Sequence, residues 1–315
     1  MKVKEDIDEL TKFSSSSGVL KLHNPFDVRH RFGCPTRLVV NTYKGCDGRC
    51  WYCYTYSYVK KLDLLQPKPK VNFEKRLDED VQKFCSAGLP KYPVYLSSSC
   101  EPFQPLEDRY RHSFYTLCKL VENEFPIIVM TKNPKKLLEN MYLKVIEQAN
   151  IVIEVTVPFL DGRFEPFSPL PANRIRAIRE LSKIGFKVVA RLDPLIPNYG
   201  GVNGQSKEEI ETIISMLADA EVCHIVSKCL RLVAGIAKLY PDFYHRLKGY
   251  YAHKRSDDPF ELKAEAKTKQ VDIVRRACQK QGIRLFTCLD HLPFADLSFC
   301  DGAEELLKLK SKVNR

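Results

Sequence analysis

Short apolar runs alternate with longer amphipathic segments between residues 36 and 228. Six of these runs have the length and branched composition of buried strands, at residues 37–41, 93–97, 126–131, 151–157, 186–192 and 221–226. Helical patterns separate them, at residues 73–84, 106–122, 134–148, 171–184 and 206–220. Because such alternation requires right-handed crossovers, it predicts a parallel sheet. We therefore expect an α/β fold, a partial (β/α)6 barrel of the TIM type.

Two of the helical segments carry end signals. Gly185 follows the segment at 171–184 and is a typical C-terminal cap. Ser206, with Glu209 three residues later, forms a capping box at the start of the last segment. These signals fix the helix boundaries on either side of the fifth strand.

The alternation changes after residue 228. A basic aromatic stretch at 241–251 precedes a long charged helix at 261–282, a candidate strand at 283–288 and a closing helix at 302–312. We divide the chain into an irregular N-terminal lead-in (1–35), the partial barrel (36–228) and an α-rich C-terminal extension packed on it (229–315).

Composition narrows the class of protein. The chain has 315 residues, 44% of them hydrophobic, which is typical of a globular protein. It has no apolar run of about 18 residues, the minimum for a membrane-spanning helix. The N-terminus is charged and lacks the apolar core of a signal peptide. We therefore expect a cytoplasmic protein without a membrane partner. Nothing in the sequence indicates an oligomeric state.

The net charge is +11, and the sequence contains twelve cysteines. A basic surface favours polyanionic partners, nucleic acid first, although a basic enzyme with solvated lysines would have the same charge. In a long chain without an export signal, the cysteines favour reduced thiols and metal ligation over disulfides.

Three cysteines, Cys46, Cys50 and Cys53, follow the first predicted strand within eight residues. Gly45 and Gly48 allow the backbone to turn tightly around a shared centre. Iron–sulfur clusters are normally held by four thiolates, so three would leave one iron open. An open coordination site on a metal centre is typical of catalysis.

A zinc site is the alternative for this loop. Cys50 and Cys53 have the spacing of a zinc pair, and His30, Cys34 or His291 could complete the ligand set. Cys46 would then be an extra thiol, so we favour the cluster.

The pattern Cys46-x-x-x-Cys50-x-Tyr52-Cys53 resembles the signature of the radical S-adenosylmethionine superfamily. The resemblance implies that the three cysteines ligate a 4Fe–4S cluster, with S-adenosylmethionine on the fourth iron and Tyr52 against its adenine. It also implies reductive cleavage to a 5′-deoxyadenosyl radical, which abstracts hydrogen from the substrate. An electron donor such as flavodoxin or ferredoxin would then be a partner.

Several segments narrow the resemblance to the branch that includes spore photoproduct lyase, loosely called DNA repair photolyases. They lie between residues 36 and 200, at 41–54, 97–105, 129–132, 167–174 and 191–197. This resemblance implies lyase-like chemistry on a nucleic-acid lesion or base. The alternatives are a radical enzyme acting on a peptide, protein or small molecule, and a non-catalytic zinc- or cluster-bearing nucleic-acid-binding module.

Polar side chains follow the predicted strands at the end where barrel enzymes carry their active sites. We predict cofactor contacts from Ser98, Ser99 and Glu101 after the second strand and Lys132 after the third. For the serines, capping of the next helix is the alternative. For Lys132, the alternative is a surface turn.

The fourth and fifth strands supply further candidates. If Ile151 and its alternate neighbours face the helices, Glu154 and Thr156 point inward as cofactor contacts. Arg191 is a candidate carboxylate clamp, or otherwise an ion-pair partner of Asp193.

Other cysteines and aromatic residues are candidates for further roles. Spore photoproduct lyase has a cysteine near the second-strand loop that returns a hydrogen atom to the product radical, and Cys100 is the catalytic candidate here. A thiol without a redox role is the alternative. The C-terminal aromatic residues form either a base-stacking surface or core packing. A second metal centre is a further hypothesis, with ligands at Cys223, Cys229, Cys288 and Cys300.

Overall fold

The computed structural model describes residues 18–23, 36–58, 66–252, 260–288, 290 and 303–307. Twelve strands lie in these ranges: β1 (Leu20–Leu22), β2 (Leu38–Val40), β3 (Tyr43–Lys44), β4 (Lys68–Pro69), β5 (Val94–Leu96), β6 (Ile127–Thr131), β7 (Ile151–Thr156), β8 (Lys187–Leu195), β9 (His224–Cys229), β10 (Tyr251–Ala252), β11 (Glu261–Leu262) and β12 (Leu285–Thr287).

The helices of the described ranges are α1 (Phe73–Ser86), α2 (Leu106–Tyr110), α3 (His112–Glu122), α4 (Asn140–Ile146), α5 (Pro171–Ile184), α6 (Lys207–Asp219), α7 (Ala234–Ala237), α8 (Pro241–Lys248), α9 (Ala264–Lys280) and α10 (Ala303–Leu306). Two 3₁₀ helices are added at Tyr54–Ser57 and Pro134–Leu138. No helix in these ranges is long and apolar enough to cross a membrane.

Eight strands form one sheet in the order β1-β2-β5-β6-β7-β8-β9-β12. All neighbouring pairs are parallel except β1 and β2, which are antiparallel. The six strands expected from the sequence are β2 and β5 to β9, in chain order across the sheet. The α/β class is confirmed, with the parallel sheet at its centre.

Side chains alternate between the two faces of this sheet, as strand geometry requires. One face carries a row of buried residues, one from each of seven strands: Val39, Tyr95, Ile128, Val152, Val189, Val226 and Phe286. The opposite face packs against the helices and includes Ile151, Ile153 and Val155. Glu154 and Thr156 therefore share the face of Val152, and the inward parity expected for them is confirmed.

The end signals of two helices are confirmed. α5 ends at Gly185, whose φ of 106° lies in the left-handed region. The Ser206 hydroxyl accepts the backbone N–H of Glu209 at 3.1 Å, which caps the start of α6.

The single helix expected at 106–122 is wrong, because the chain breaks it at Arg111, where φ is 53°. The buried Glu107 carboxylate accepts the backbone N–H groups of Ser113 and Phe114 at 2.9 and 2.8 Å. These bonds satisfy free N–H groups in the first turn of α3, so Glu107 starts a second helix. The segment expected at 134–148 is likewise divided into a 3₁₀ helix and α4.

Both ends of the chain contribute to the central sheet. β1 lies in the lead-in that the sequence predicts to be irregular, and it pairs with β2. β12, the candidate strand of the C-terminal extension, pairs with β9. The long helix α9 packs against α6 and β9. The extension is therefore built into the same sheet as residues 36–228.

Candidate active site

A cavity of about 1220 Å³ opens at the carboxyl ends of the parallel strands, and we call it the main cavity. Eleven of the twelve site residues predicted from the sequence line it: Cys46, Cys50, Tyr52, Cys53, Ser98, Ser99, Cys100, Glu101, Lys132, Thr156 and Arg191. The twelfth, Glu154, is buried and contacts the cavity-lining Arg191. The structure thus brings together residues that are up to 145 positions apart in the chain.

The cysteine loop forms one wall of the main cavity. Cys46 Sγ accepts the backbone N–H groups of Gly48 and Glu101, each at 3.4 Å. A Cβ added at Gly48 would lie 3.5 Å from Cys46 Sγ and 3.6 Å from Cys50 Sγ. A glycine here keeps the space beside both sulfurs clear of side-chain atoms. Cys53 Sγ lies 3.0 Å from the Thr55 hydroxyl.

Burial keeps the Cys46 and Cys50 thiols protonated when no cation is bound. It raises the pKa of Cys46 well above its ordinary value, and it raises the pKa of Cys50 to about 11, although the nearby Lys132 charge lowers the latter. Because the thiolate is the form that ligates metal, a positively charged centre would stabilise these sulfurs as thiolates. The donor set suits an iron–sulfur cluster.

Within the described ranges, no three His, Cys, Asp or Glu side chains are placed to hold one metal ion. A cluster differs from a single ion because each of its thiolates binds a different iron, so its ligands need not meet at one point. His30, Cys34 and His291, the further zinc ligands considered from the sequence, lie outside the described ranges. Cys300 of the hypothetical second centre also lies outside them.

The second-strand loop is held by its own hydrogen bonds. The Glu101 carboxylate accepts the backbone N–H of Lys132 at 2.8 Å and the hydroxyl of Thr131. It therefore ties the loop after β5 to the end of β6. A contact from Glu101 to a cofactor ammonium stays a prediction, and it would use the remaining lone pairs of this carboxylate.

The two serines do not cap the next helix, so that alternative is wrong. The residue that precedes α2 is Pro105. The Ser99 N–H donates to the Asn41 side-chain oxygen at 3.0 Å, and the Ser98 carbonyl accepts the Tyr54 hydroxyl. Both serines lie at the cavity wall, and their contact with a cofactor stays a prediction.

Cys100 lies beside the cysteine loop. Its sulfur lies 3.7 Å from the Tyr43 carbonyl oxygen and 3.6 Å from the Ser97 hydroxyl oxygen, and either oxygen can accept the S–H hydrogen. Burial raises the pKa of the Cys100 thiol. It therefore keeps the S–H hydrogen that a hydrogen-atom donor needs, and its catalytic role stays a prediction.

A buried carboxylate, Glu165, joins side chains from three segments of the chain beside the main cavity. It accepts the Tyr52 hydroxyl, forms an ion pair with Arg174 at 2.6 Å and lies 3.9 Å from Lys132 Nζ. Arg174 also donates to the Thr156 carbonyl at 2.9 Å. We name Tyr52, Lys132, Glu165 and Arg174 the Glu165 network.

Lys132 belongs to the Glu165 network and is not a surface lysine, so the alternative of a surface turn is wrong. Its side chain is 22% exposed, and Nζ lies 5.7 Å from the centre of the Tyr52 ring. Burial alone would lower the pKa of Lys132, but the charge that Cys50 carries once ionised and the charge of Glu165 outweigh burial and raise the pKa overall. Lys132 is therefore protonated at neutral pH.

Glu165 and Arg174 are functional candidates that the sequence reasoning missed. Arg174 lies within the segment 167–174, which resembles the lyase branch, but this resemblance by itself implies no role for the side chain. A signal for Glu165 is its position in the loop after the fourth strand, the same edge of the sheet as the other candidates.

Arg191 is paired within the protein. Its guanidinium lies 2.7 Å from Glu154 and 2.7 Å from Asp193. The alternative that Arg191 pairs with Asp193 is therefore confirmed, and Glu154 gains the partner that a buried charge requires. A further contact from this arginine to a cofactor stays a prediction.

Aromatic residues of the C-terminal extension pack on the cysteine loop. Tyr240 stacks on Trp51 at 5.2 Å and donates its hydroxyl to the Arg49 carbonyl at 2.7 Å. Phe243 packs edge-on against the same Trp51. Tyr244 and Tyr251 are also buried. Core packing is confirmed for these residues, and an exposed stacking surface at these positions is wrong.

Similar solved structures define the class of this fold. One similar structure is spore photoproduct lyase complexed with dinucleoside spore photoproduct. The match covers 90% of this chain and 94% of the lyase chain, at a TM-score of 0.63 and 12% identity. Another is Streptococcus suis SuiB bound to S-adenosylmethionine. This match covers 83% of this chain and 52% of the SuiB chain, at a TM-score of 0.52 and 13% identity. Both are radical S-adenosylmethionine enzymes. The expected resemblance to this superfamily and its lyase-like branch is confirmed at the level of the fold.

The chain belongs to the family described as "Domain of unknown function (DUF1848)", which matches residues 106–303. An uncharacterized protein of Methanocaldococcus jannaschii is 25% identical over 166 residues, which are 51% of this chain and 61% of that protein. An uncharacterized protein of Mycobacterium tuberculosis is 22% identical over 240 residues, which are 69% of this chain and 68% of that protein. The match thus spans less than two thirds of the length of the M. jannaschii relative.

Proposed function

We propose that the protein is a radical S-adenosylmethionine enzyme that holds a 4Fe–4S cluster on Cys46, Cys50 and Cys53. The main cavity carries this proposal, because it gathers the three thiols with polar residues from the ends of five strands. The fold shared with radical S-adenosylmethionine enzymes supports it. In this proposal the sheet curves as a partial barrel around the cavity, as the sequence predicts.

When bound, the cluster and S-adenosylmethionine supply a carbon-centred radical, and the protein supplies their position. Gly48 leaves room beside two of the sulfurs, and the Glu101 N–H donates to Cys46 Sγ. The Glu165 network fixes the Tyr52 ring and holds a lysine cation beside Cys50. Such a cation offsets the negative charge of a thiolate-ligated centre. A flavodoxin- or ferredoxin-like partner would deliver the electron.

We propose a nucleic-acid lesion or base as the substrate, with lyase-like chemistry. The spore photoproduct lyase structure that contains a dinucleoside lesion supports this class. Among the described residues that line the main cavity, eight are Lys or Arg and five are Asp or Glu. Together with the net charge of +11, this excess favours a phosphate-bearing substrate. A base would have to leave its stack to enter the cavity.

A peptide substrate is the second candidate. SuiB bound to its precursor peptide matches 91% of this chain at a TM-score of 0.54, although only 53% of SuiB is covered. The excess of basic residues at the cavity favours nucleic acid over this alternative.

The cluster assignment predicts that Cys50→Ala loses iron, labile sulfide and the reductive cleavage of S-adenosylmethionine. Anaerobic reconstitution followed by metal analysis and chromatography of the cleaved cofactor measures all three. Cys85→Ala, at an exposed thiol outside the cavity, is the matched control and should behave like the wild type. Retained cleavage in Cys50→Ala would refute the assignment, and zinc in place of iron would favour the non-catalytic module.

The substrate class is tested with the reconstituted wild-type enzyme. Single-stranded DNA, damaged duplex DNA, RNA and a peptide library are incubated anaerobically with S-adenosylmethionine and a chemical reductant, and the products are analysed by mass. A mass change confined to nucleic acid supports the proposed substrate. A change confined to peptides would replace it with the second candidate.

A further inference from the structure

Two large aromatic side chains at the main cavity are exposed to solvent. Tyr58 is 58% exposed and Phe167 is 63% exposed, and both line the cavity. The other strongly exposed large apolar residues of the described ranges lie away from it: Val71, Leu160, Leu170, Ile184 and Tyr199. Exposed aromatic rings cost hydration free energy, about 25 cal/mol for each Å² of apolar surface. Two such rings on one cavity indicate a binding surface.

Both rings sit on chain segments fixed to the cysteine loop. Tyr58 follows the 3₁₀ helix after Cys53, and its ring lies 6.1 Å from that of Tyr54. Next to Phe167, the Ser168 N–H donates to the carbonyl of the buried Glu165 at 3.1 Å. The Arg49 guanidinium lies 5.1 Å from the centre of the Phe167 ring. The rings are therefore presented at defined positions on the wall that carries the cysteines.

The residues around these rings indicate which kind of ligand the surface binds. Flat aromatic rings bind flat partners by stacking, and an arginine over one of them adds a cation beside the stacked pair. Lys135, which is exposed at the same cavity, adds positive charge that attracts phosphate. An unpaired nucleobase on a phosphate backbone combines both features. Base pairs within a duplex do not offer their faces, since those faces are already stacked.

We propose that Tyr58 and Phe167 form a stacking rim that binds unpaired nucleobases of a single-stranded or locally opened nucleic acid. The rim would hold the bases that flank the one inside the cavity. This inference rests on the proposed function, because it assumes a nucleic-acid substrate. It adds that the strand is recognised in an unpaired state through the faces of its bases.

The test measures binding of a short single-stranded oligothymidylate that carries one 2-aminopurine, a base whose fluorescence falls on stacking. Phe167→Ala and Tyr58→Ala should each weaken binding by about 5- to 150-fold, the range for one lost base–aromatic stack. They should also reduce the quenching of the 2-aminopurine. Phe167→Trp should retain both properties. Val71→Ala, which shortens an even more exposed apolar side chain outside the cavity, should bind like the wild type.

The salt dependence of oligonucleotide affinity distinguishes the contribution of aromatic stacking from that of charge. The aromatic variants should keep the wild-type slope of affinity against salt, because aromatic rings release no counterions, whereas Lys135→Ala should reduce it. If the wild type binds the oligonucleotide and both alanine variants bind equally well with unchanged quenching, the stacking rim is refuted. Tighter binding of intact duplex than of single strand would also refute it. If the wild type binds no nucleic acid at low salt, the proposed substrate class itself fails.

Discussion

Three side chains meet at one buried carboxylate, Glu165, which has no exposed surface. Tyr52 donates to it, Arg174 pairs with it, and the Lys132 ammonium lies nearby. Burying a charge is unfavourable unless other charges and donors compensate it. The Glu165 network therefore holds Tyr52, a residue of the cysteine motif, in one orientation.

Glu165→Gln should destabilise the protein strongly, because it leaves the buried Arg174 guanidinium without a counter-charge. Breaking a buried ion pair by removing one partner typically costs about 3 to 5 kcal/mol. Urea unfolding of the two proteins measures the difference. Glu211→Gln, at a half-exposed ion pair with Lys207, should lose less than about 1 kcal/mol. Equal losses in both variants would show that Glu165 is not a buried structural charge.

The sequence predicts the cysteines of the site far better than the residues that hold them. Cys46, Cys50 and Cys53 are close in the chain, so their spacing alone indicates a shared centre. Glu165 is 113 residues from its partner Tyr52. A contact over such a separation depends on how the loops after two strands fold together, and single-sequence patterns contain no information on it.

Strands and helices differ in how well their patterns predict them. The six strands are buried runs flanked by helices, and each appears within a few residues of its expected position. The helices expected at 106–122 and 134–148 are each divided in two. The first is divided where the Glu107 side chain accepts N–H groups of α3, and the second is divided at Glu139, whose backbone is extended and precedes α4. Glu107 lies inside the expected helix and caps the start of α3 from there. The apolar periodicity of the sequence continues across this break, so the sequence pattern does not show it.

Helix α7 packs directly on the 3₁₀ helix that follows the cysteine loop. A Cβ added at Gly235 would lie 2.1 Å from the carbonyl oxygen of Tyr56 and 2.6 Å from the backbone nitrogen of Ser57. These are backbone atoms, so a substitution forces one of the two elements to move.

Gly235→Ala should therefore lower both the stability and the iron content of the reconstituted protein. Overpacking typically costs about 1 to 3 kcal/mol, and the displaced element begins directly after Cys53. Thermal unfolding and iron analysis check the two effects. Gly162→Ala, where the nearest atom would be 3.8 Å from the new Cβ, should change neither. A normal iron content in Gly235→Ala would show that α7 does not position the loop.

At the scale of the whole molecule, the domain boundary that the sequence predicts at residue 228 separates parts of one sheet. β12 pairs with β9 across that boundary, and Tyr240 stacks on the cysteine loop. A chain that ends at residue 228 should therefore fail to fold cooperatively, since it exposes the β9 edge and the face of Trp51. Circular dichroism and hydrogen exchange measure this. A shortened chain with a sharp unfolding transition would instead support an independent barrel domain.

The hydrogen bond from Tyr240 to the Arg49 carbonyl joins residues 191 positions apart. During translation, the ribosome adds about 5 to 20 residues each second, so the cysteine loop emerges about 10 to 40 s before its Tyr240 partner. In that interval the three thiols are exposed to oxygen and to any metal ion in the cell. In the proposed enzyme, insertion of the cluster into the finished loop would follow the synthesis of Tyr240, about three quarters of the way along the chain. The nascent protein would therefore be most vulnerable to mismetallation before that point.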